Sequence, residues 1–302
     1  MSVPTATEKP PHDHAEETAL KNSVARLSIL AAAFLILIKS GTGWLTGSIA
    51  VWASLLDSAM DIFASTINYF AVRAAARPPD DDHAYGHGKA ESLAGLFQAA
   101  VITLSGLFLI REAIKRMFQP QPTQAESFGV ATMLIAIIVS IALVARLRRV
   151  AKLTDSPALS ADAVHFASDV WTNGGVLLAL LLISLTGWNM IDPLISIAIS
   201  IYILASALSV GRESVDVLMD RRLPPDVDEQ VAEIVSRFRN EGVHGFHDLR
   251  TRRSGSQKFI DLHLEVDRGQ TLEEAHATSV SILRTIEAEI PRAKVQIHTD
   301  PA

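Results

Sequence analysis

Two pairs of potential metal ligands recur at the same spacing in this 302-residue sequence. Asp57 and Asp61 lie in "LLDSAMDIFAS", and His165 and Asp169 lie in "ADAVHFASDVWTN". Residues at positions i and i+4 of a helix share one face, so each pair would present both side chains to the same neighbour. Two facing helices would supply three carboxylates and one imidazole around one point. This donor set predicts a tetrahedral site suited to Zn²⁺ and acceptable for Cd²⁺, Fe²⁺ or Co²⁺.

Both pairs lie in segments that are apolar enough to be membrane spans, where acids are expensive. A single aspartate in mid-membrane costs about 2.5–3.5 kcal/mol, and a second on the same face adds to that cost. A divalent cation, or protons in its absence, would neutralise these carboxylates. The alternative interpretation is a set of protonated acids that are hydrogen-bonded to neighbouring helices. The repetition of one spacing in two spans favours the cation site.

The composition sets the class of protein and limits its ligand chemistry. The chain is 49% hydrophobic and only 6% aromatic, with a mean hydropathy of +0.26, which is too apolar for an ordinary soluble protein. A formal net charge of -6 gives no basic excess for nucleic acid. The absence of cysteine excludes disulfides and thiolate ligands. Without a P-loop or an HExxH motif, neither ATP-driven transport nor an intramembrane metallohydrolase is predicted, and the protein is not expected to be an enzyme.

Six segments of about 20 or more mostly apolar residues are predicted to be transmembrane helices. They cover approximately residues 25–45, 49–75, 91–115, 128–147, 160–186 and 191–213. The polar residues before them predict a disordered tail. Basic residues concentrate beside the second and fourth loops and after the sixth span, which places both termini in the cytoplasm.

The sequence changes character near Leu223 and becomes polar. Its pattern predicts a helix, two strands, a helix and a strand, in the order αββαβ. These elements cover residues 226–240, 246–252, 257–266, 272–290 and 294–298. Such an order describes a small α+β domain with helices on one face of a three-stranded sheet. By strand alternation His263 shares a face with Asp261 and Glu265, and His298 shares one with Asp300. The alternative is that these histidines are scattered surface residues.

A third group of possible ligands lies in the loop "RPPDDDHAYGHGKAE". Asp80, His83 and His87 form a ligand set for a hard or borderline metal, and Gly86 and Gly88 give the backbone the freedom to bring them together. The alternative is a solvated, charged loop.

Four motifs together resemble the bacterial cation diffusion facilitator family, most closely its zinc and ferrous-iron efflux members. They are "SLLDSAMD", "HAYGHGKAE", "ADAVHFASDVWTN" and "HDLRTRRSG", and the likeness covers nearly the whole chain from about Leu27. The resemblance implies that Asp57, Asp61, His165 and Asp169 form the transport site. It also implies a metal site at Asp80, His83 and His87 and an ion pair between Lys89 and Asp220.

For the C-terminal region the resemblance implies a metallochaperone-like fold that forms much of a homodimer contact. It also implies a two-metal cluster in this domain, bridged by Asp300. The implied ligands are His247, His263, His276, His298 and Asp300. The expected domains are a cytoplasmic tail over 1–24, a six-helix transport domain over 25–213 and a cytoplasmic metal-binding and dimerisation domain over 214–302.

The expected function is a proton-coupled antiporter of the bacterial inner membrane that exports divalent cations, chiefly Zn²⁺ and also Cd²⁺ or Fe²⁺. Metal and protons compete for the same lone pairs, so a proton gradient can drive the exchange. The expected partners are metal cations, protons, membrane lipid and a second copy of the chain. One alternative is a membrane-tethered metal sensor that does not transport, and another is a transporter whose physiological cargo is Fe²⁺ or Mn²⁺.

Overall fold

The computed structural model describes residues 11–46, 49–118 and 127–302, and it describes side chains from residue 15 onward apart from 42–59 and 119–129. Contacts divide the chain into two compact units. Residues Glu17–Val215 form one, here called the membrane unit, and Asp216–Ala302 belong to the other, here called the C-terminal unit.

Six long helices account for most of the first two-thirds of the chain. They are α1 (Pro11–Thr46), α2 (Ile49–Ala75), α3 (Lys89–Phe118), α4 (Ser127–Thr154), α5 (Pro157–Thr186) and α6 (Ile191–Leu218). Five stretches among the described residues are long and apolar enough to cross a membrane: Ala15–Gly41, Lys89–Phe118, Val130–Thr154, Pro157–Thr186 and Ile191–Leu218. The remaining helix, α2, has 27 residues and would be about 40 Å long, which is also enough to cross a bilayer.

The surface of the membrane unit explains why lipid is its solvent. Large apolar side chains lie on its outside, and Leu37, Leu104 and Ile138 are each at least two-thirds exposed. A water-soluble protein rarely exposes so much contiguous apolar surface. The interior is filled by smaller or well-packed residues such as Ala158, Leu159 and Phe166. Helix α5 meets α6 so closely at Gly175 that a Cβ there would lie 2.0 Å from Ile199 Cδ1.

Helix α1 begins at Pro11, whereas the sequence predicts a disordered tail over residues 1–24. The difference has a visible physical reason in buried contacts that precede residue 25. Lys21 Nζ lies 2.8 Å from Glu91 Oε1, and both side chains are almost completely buried. Ser156, at the start of α5, donates its hydroxyl to the other oxygen of Glu91 at 2.5 Å. These contacts tie α1 to the first turns of α3 and α5.

The C-terminal unit contains two helices and a three-stranded sheet. Its elements are α7 (Pro225–Ser236), β1 (Val243–Ser254), β2 (Gln257–Val266), α8 (Leu272–Glu289) and β3 (Ala293–Pro301), with a 3-10 turn at Arg239–Glu241. The sheet order is β1-β2-β3, with the first pair antiparallel and the second parallel. Strand β2 and the predicted strand have the same bounds, and the other elements differ from their predictions by a few residues at their ends.

Alternation along β2 separates the two faces of this sheet. Ile260, Leu262 and Leu264 are buried in a core that they share with Ile282 and Ile286 of α8. The intervening residues of β2 therefore lie on the face away from that core. The helical membrane domain and the α+β C-terminal domain confirm the predicted fold class.

Candidate metal centres

The first candidate centre lies between α2 and α5 and is here called the transport cluster. It consists of Asp61, His165 and Asp169, whose nearest ligand atoms all lie within 4.8 Å of one another. His165 Nε2 is 3.0 Å from Asp61 Oδ1. The His165 side chain is 6% exposed and that of Asp61 is 13% exposed. One imidazole and two carboxylates can therefore converge on a cation in a largely dry site.

The helices place these side chains by simple periodicity. His165 and Asp169 are one turn apart on α5, so both face α2. Helix α5 starts at Pro157 after its N-cap residue Ser156, and it ends at Thr186, before its C-cap residue Gly187, which has a φ of 69°. Asp57 lies one turn before Asp61 on α2. Its side chain falls outside the described residues, so its role as a fourth ligand stays a prediction.

The second candidate centre, the loop cluster, brings Asp80, His83 and His87 together as the spacing predicts. His83 Nδ1 and His87 Nε2 each lie 3.2 Å from one oxygen of Asp80. The loop is folded by short-range bonds, including one from the Gly86 N–H to the carbonyl oxygen of His83 at 2.9 Å. Gly86 has a φ of 81°, a conformation that glycine adopts without strain.

Electrostatics favour the ionised form of the loop carboxylate. The backbone N–H of His83 donates to Asp80 Oδ1 at 2.7 Å, and this bond lowers the pKa of Asp80 below its usual range. The nearby imidazoles lower it further. An ionised carboxylate beside two histidines is the form that binds a cation.

The third candidate centre lies on the open face of the C-terminal sheet and is here called the sheet cluster. The strand register pairs His247 with His263 and His263 with His298, so the three imidazoles form one row across β1, β2 and β3. All three approach Asp300. The shortest contacts with its carboxylate oxygens are 2.8 Å from His263, 3.3 Å from His298 and 3.4 Å from His247.

The geometry of the sheet cluster suits more than one ion. Two ligand groups share His263, one with His247 and Asp248 and the other with His298 and Asp300. The hydrogen bond with His263 lowers the pKa of Asp300, and the charges of His298 and His247 lower it further. Imidazole nitrogens around a carboxylate form a donor set that fits Zn²⁺.

Two further sequence predictions concern His276 and the pair of Lys89 with Asp220. His276 is exposed on α8, which packs on the opposite face of the sheet from the sheet cluster, so it joins none of the ligand groups among the described residues. Lys89 belongs to the membrane unit and Asp220 to the C-terminal unit, where its carboxylate lies 3.4 Å from Arg252. The Lys89–Asp220 ion pair, and His276 as a ligand, stay predictions.

The sequence analysis missed Asp248 as a possible ligand. Asp248 has a φ of 49° and lies where the pairing of β1 with β2 shifts register, between His247 and Arg250. The irregularity brings its carboxylate to 3.9 Å from His247. Strict alternation would have pointed this side chain to the other face, so only the position of Asp248 next to His247 in the sequence could have signalled it.

Two family models match the chain. One is described as the cation efflux transmembrane domain and matches residues 25–219. The other is described as the cytoplasmic domain of the cation efflux protein and matches residues 223–302.

Curated relatives match over almost their whole length. The cation-efflux pump FieF of Klebsiella pneumoniae is 43% identical over 282 residues, which is 92% of this chain and 93% of that protein. The protein of the same name from Escherichia fergusonii is 43% identical over 281 residues, with the same coverage of both chains. Among solved structures, the zinc form of CzrB is 32% identical and covers 27% of this chain and 92% of its own, with a TM-score of 0.26.

Proposed function

Because this chain belongs to the cation efflux, or cation diffusion facilitator, family and exports divalent metal cations, we propose that it is a proton-coupled antiporter that carries Zn²⁺ out of the cytoplasm. The observation that carries the proposal is the transport cluster. Asp61, His165 and Asp169 converge between two membrane helices, with 3.0 Å between the imidazole and the Asp61 carboxylate. Each side chain can hold either a proton or a metal, but not both on one lone pair.

The exchange follows from the cost of leaving these groups uncompensated. Two ionised carboxylates inside a helical bundle require a counter-charge, because nothing else offsets the free-energy cost of removing them from water. A divalent cation supplies it in the loaded state, and protons supply it after release. The bundle then returns with its ligands protonated, and deprotonation on the cytoplasmic side prepares the cluster for another cation. Asp57 is the fourth ligand in this proposal, which gives the tetrahedral donor set.

The choice of Zn²⁺ rests on the donor types. One imidazole among carboxylates suits borderline cations such as Zn²⁺, with Cd²⁺ and Fe²⁺ as further substrates, whereas all-oxygen sites suit Mn²⁺ and Mg²⁺. The contact between His165 Nε2 and Asp61 supports this proposal, since it puts the nitrogen donor 3.0 Å from one of the carboxylates.

The orientation follows from the helix count. Six crossings return the chain to the side where it started, and the second family model describes the C-terminal domain as cytoplasmic. We therefore place both termini in the cytoplasm and the protein in the bacterial inner membrane. Residues 1–24, 25–213 and 214–302 would serve as a cytoplasmic lead, the transport domain and the metal-binding and dimerisation domain.

The other two centres support transport without carrying it. The loop cluster lies immediately before α3 and would pass metal on or hold the loop in shape. The sheet cluster would bind Zn²⁺ as a structural ion, with Asp300 as the bridging carboxylate. In a homodimer, only His276 of a second subunit could complete this cluster, because α8 places His276 on the opposite face of its own sheet.

The test is Zn²⁺ flux in proteoliposomes with an imposed pH gradient. The proposal requires Zn²⁺ movement coupled to opposite proton movement, and its loss in Asp61→Asn with the protein still folded. Binding of Zn²⁺ without flux would instead identify a membrane-tethered sensor. Coupled flux that is faster with Fe²⁺ or Mn²⁺ than with Zn²⁺ would assign a different cargo to the same site.

A further inference from the structure

Buried polar side chains continue beyond the transport cluster along the facing sides of α2 and α5. On α2, Asp61, Ser65 and Asn68 recur at i, i+4 and i+7, and therefore lie on one face. On α5, Asp162 lies one turn before His165. Ser65, Asn68 and Asp162 are here called the polar strip.

The strip leads from the transport cluster towards the end of the bundle where α5 begins. Asp61 of α2 meets His165 of α5 at 3.0 Å, and the two helices cross the bilayer in opposite directions in the orientation proposed above. Residues that follow Asp61 on α2 therefore lie on the same side of the transport cluster as residues that precede His165 on α5. Asp162 is nearer than His165 to the first residue of α5, Pro157. In the orientation proposed above this is the cytoplasmic end.

The strip is buried but incompletely hydrogen-bonded. Ser65 and Asp162 are 1% exposed and Asn68 is 4% exposed. Among the residues that the structure describes, Ser65 Oγ, Asn68 Nδ2 and Asp162 Oδ1 have no hydrogen-bond partner. Buried polar atoms are almost always paired, and each unpaired one carries its full desolvation cost, so three neighbouring exceptions require a reason.

One oxygen of Asp162 is held in place. Ser28 of α1, which is fully buried, donates its hydroxyl to Asp162 Oδ2 at 2.6 Å. Because this bond fixes the carboxylate, its other oxygen, Oδ1, stays directed away from Ser28. The contact between α1 and α5 therefore uses one oxygen of Asp162 and leaves Oδ1 available to a ligand.

The donor chemistry suits a cation that keeps part of its hydration shell. A carboxylate oxygen can bind the ion directly or accept from its water, and a serine hydroxyl can do the same. Rotation of the Asn68 side-chain amide would present its oxygen in place of Nδ2. The strip has no imidazole, so it would hold Zn²⁺ less tightly than the transport cluster does, as a position along a path must.

We propose that Ser65, Asn68 and Asp162 form a loading position, where a partly hydrated divalent cation rests on its way from the cytoplasm to Asp61, His165 and Asp169. The inference rests on the proposed transport function and deepens it by assigning the residues of the entry route. Asp162 supplies the charge, and Ser28 positions that carboxylate without being part of the loading position.

The test compares Zn²⁺ uptake by the full-length protein in proteoliposomes, with Zn²⁺ added on the cytoplasmic face over a range of concentrations. Asp162→Asn removes the charge and keeps the shape. It should raise the half-saturating Zn²⁺ concentration about tenfold or more, since partners just outside a metal site typically change affinity 10–100-fold. The maximal rate should stay within about twofold of wild type because the transport cluster remains, and such a split between affinity and rate separates loading from chemistry at the site.

Two controls separate loading from folding. Asp155→Asn removes an exposed carboxylate at the turn before α5 and should leave the half-saturating concentration unchanged. Ser28→Ala removes the α1–α5 hydrogen bond and keeps the charge of Asp162, so its half-saturating concentration should change much less than that of Asp162→Asn. If Asp162→Asn and Ser28→Ala instead lose thermal stability equally and both keep the wild-type half-saturating concentration, Asp162 only holds α1 against α5 and the proposal is wrong.

A second variant covers the case in which Asp162→Asn does not fold. Asn68→Asp adds a carboxylate to the strip, and it should lower the half-saturating Zn²⁺ concentration while slowing the maximal rate, because the cation is retained. Unchanged values for both would overturn the loading position.

Asp61→Asn is the reference variant. If it transported like wild type, the proposed function itself would fail. If Asp61→Asn lost transport while the Asp162 and Asn68 variants kept wild-type values, only the loading position would be rejected.

Discussion

The transport cluster and the sheet cluster use the same two side-chain types in opposite surroundings. The His165 side chain is 6% exposed between membrane helices, whereas the side chains of Asp300 and His298 are 31% and 67% exposed on the open face of a sheet. Water around the sheet cluster can stabilise its charges when no metal is bound. Inside the bundle there is little such help, so the transport cluster must always hold protons or a cation.

The strands that hold the sheet cluster and the helices that hold the transport cluster also differ in how freely they can move. The sheet cluster spans three strands whose register is fixed by backbone hydrogen bonds, and His247, His263 and His298 therefore keep their spacing. The transport cluster joins side chains of α2 and α5, and helices can shift relative to one another by small sliding movements. A rigid, solvated centre suits permanent binding, and a buried centre between movable helices suits exchange.

The largest expected effect is on transport. Asp61→Ala, His165→Ala or Asp169→Ala should each lower Zn²⁺ flux more than about 100-fold, since losing even a hydrogen-bond partner of a metal ligand costs about 10–100-fold in affinity or activity. Asp57→Ala should do the same if it is the fourth ligand. Asp300→Ala should lower flux less than tenfold, because the membrane ligands remain. Flux assays on protein of equal folded yield check this, and wild-type flux in Asp61→Ala would remove the distinction between the two centres.

The next effect is on stability and belongs to the sheet cluster. The C-terminal unit has its own apolar core, so residues 222–302 can be tested alone. Zn²⁺ at 100 times its dissociation constant adds about 2.7 kcal/mol per site, and the Tm should rise by about 10 °C or more for a domain of this size. Asp300→Ala should lose most of that rise.

Thermal melts of residues 222–302 with Zn²⁺, with a chelator and with neither show whether Zn²⁺ stabilises this unit. Arg237→Gln is a useful control because it removes an exposed residue that pairs with Glu233 and Glu289, away from the histidines. It should lower the Tm slightly and keep the full gain with Zn²⁺. A wild-type unit that melts identically with Zn²⁺ and with the chelator would show that these histidines are surface residues.

A smaller effect concerns selectivity. His165→Asp replaces the only nitrogen donor of the transport cluster among the described residues with oxygen, and the site should tolerate Mn²⁺ better relative to Zn²⁺. Competition assays with Zn²⁺, Cd²⁺ and Mn²⁺ measure the ranking. An unchanged ranking would place the basis of selectivity outside His165.

The sequence predicts those parts of the site that depend on local periodicity. The i, i+4 spacing on α5 and the short loop from Asp80 to His87 are properties of a few neighbouring residues, and the structure groups them as the sequence predicts. The alternation in β2 likewise separates Ile260 and Leu262 from His263. Such patterns follow from the helical and strand repeats alone.

Long-range partners could not be predicted in the same way. Nothing near Ser28 in the sequence indicates that it will meet Asp162, 134 positions away, or that Lys21 will pair with Glu91. Asp248 was missed because a register shift breaks the alternation. His276 was assigned from resemblance, yet α8 places it on the far side of the sheet, and only the packing of α8 reveals this.

The smallest expected effect supplies the metal-free baseline against which the sheet cluster is judged. Thr271 and Glu274 form a capping box at the start of α8, where the Thr271 N–H donates to Glu274 Oε2 at 2.8 Å. This backbone bond, followed by the one from the Thr271 hydroxyl, lowers the pKa of Glu274 below its usual value. A depressed pKa means that the stabilisation is fully present above the unfolded-state pKa of about 4.3 and is lost as pH falls through the folded value.

Glu274→Gln in residues 222–302 should therefore melt a few degrees lower at neutral pH and lose less stability on acidification than wild type. Thermal melts in chelator between neutral pH and about pH 3 measure the slope of Tm against pH. Glu241 and Asp267, which line a surface groove together with Glu274, remain in the variant, so the difference in slope from wild type reports on Glu274. The rise in Tm with Zn²⁺ should be unchanged, because the capping box lies away from the histidine row. A smaller rise in Tm with Zn²⁺ in this variant would mean that part of the metal effect depends on the capping box and not on the sheet cluster.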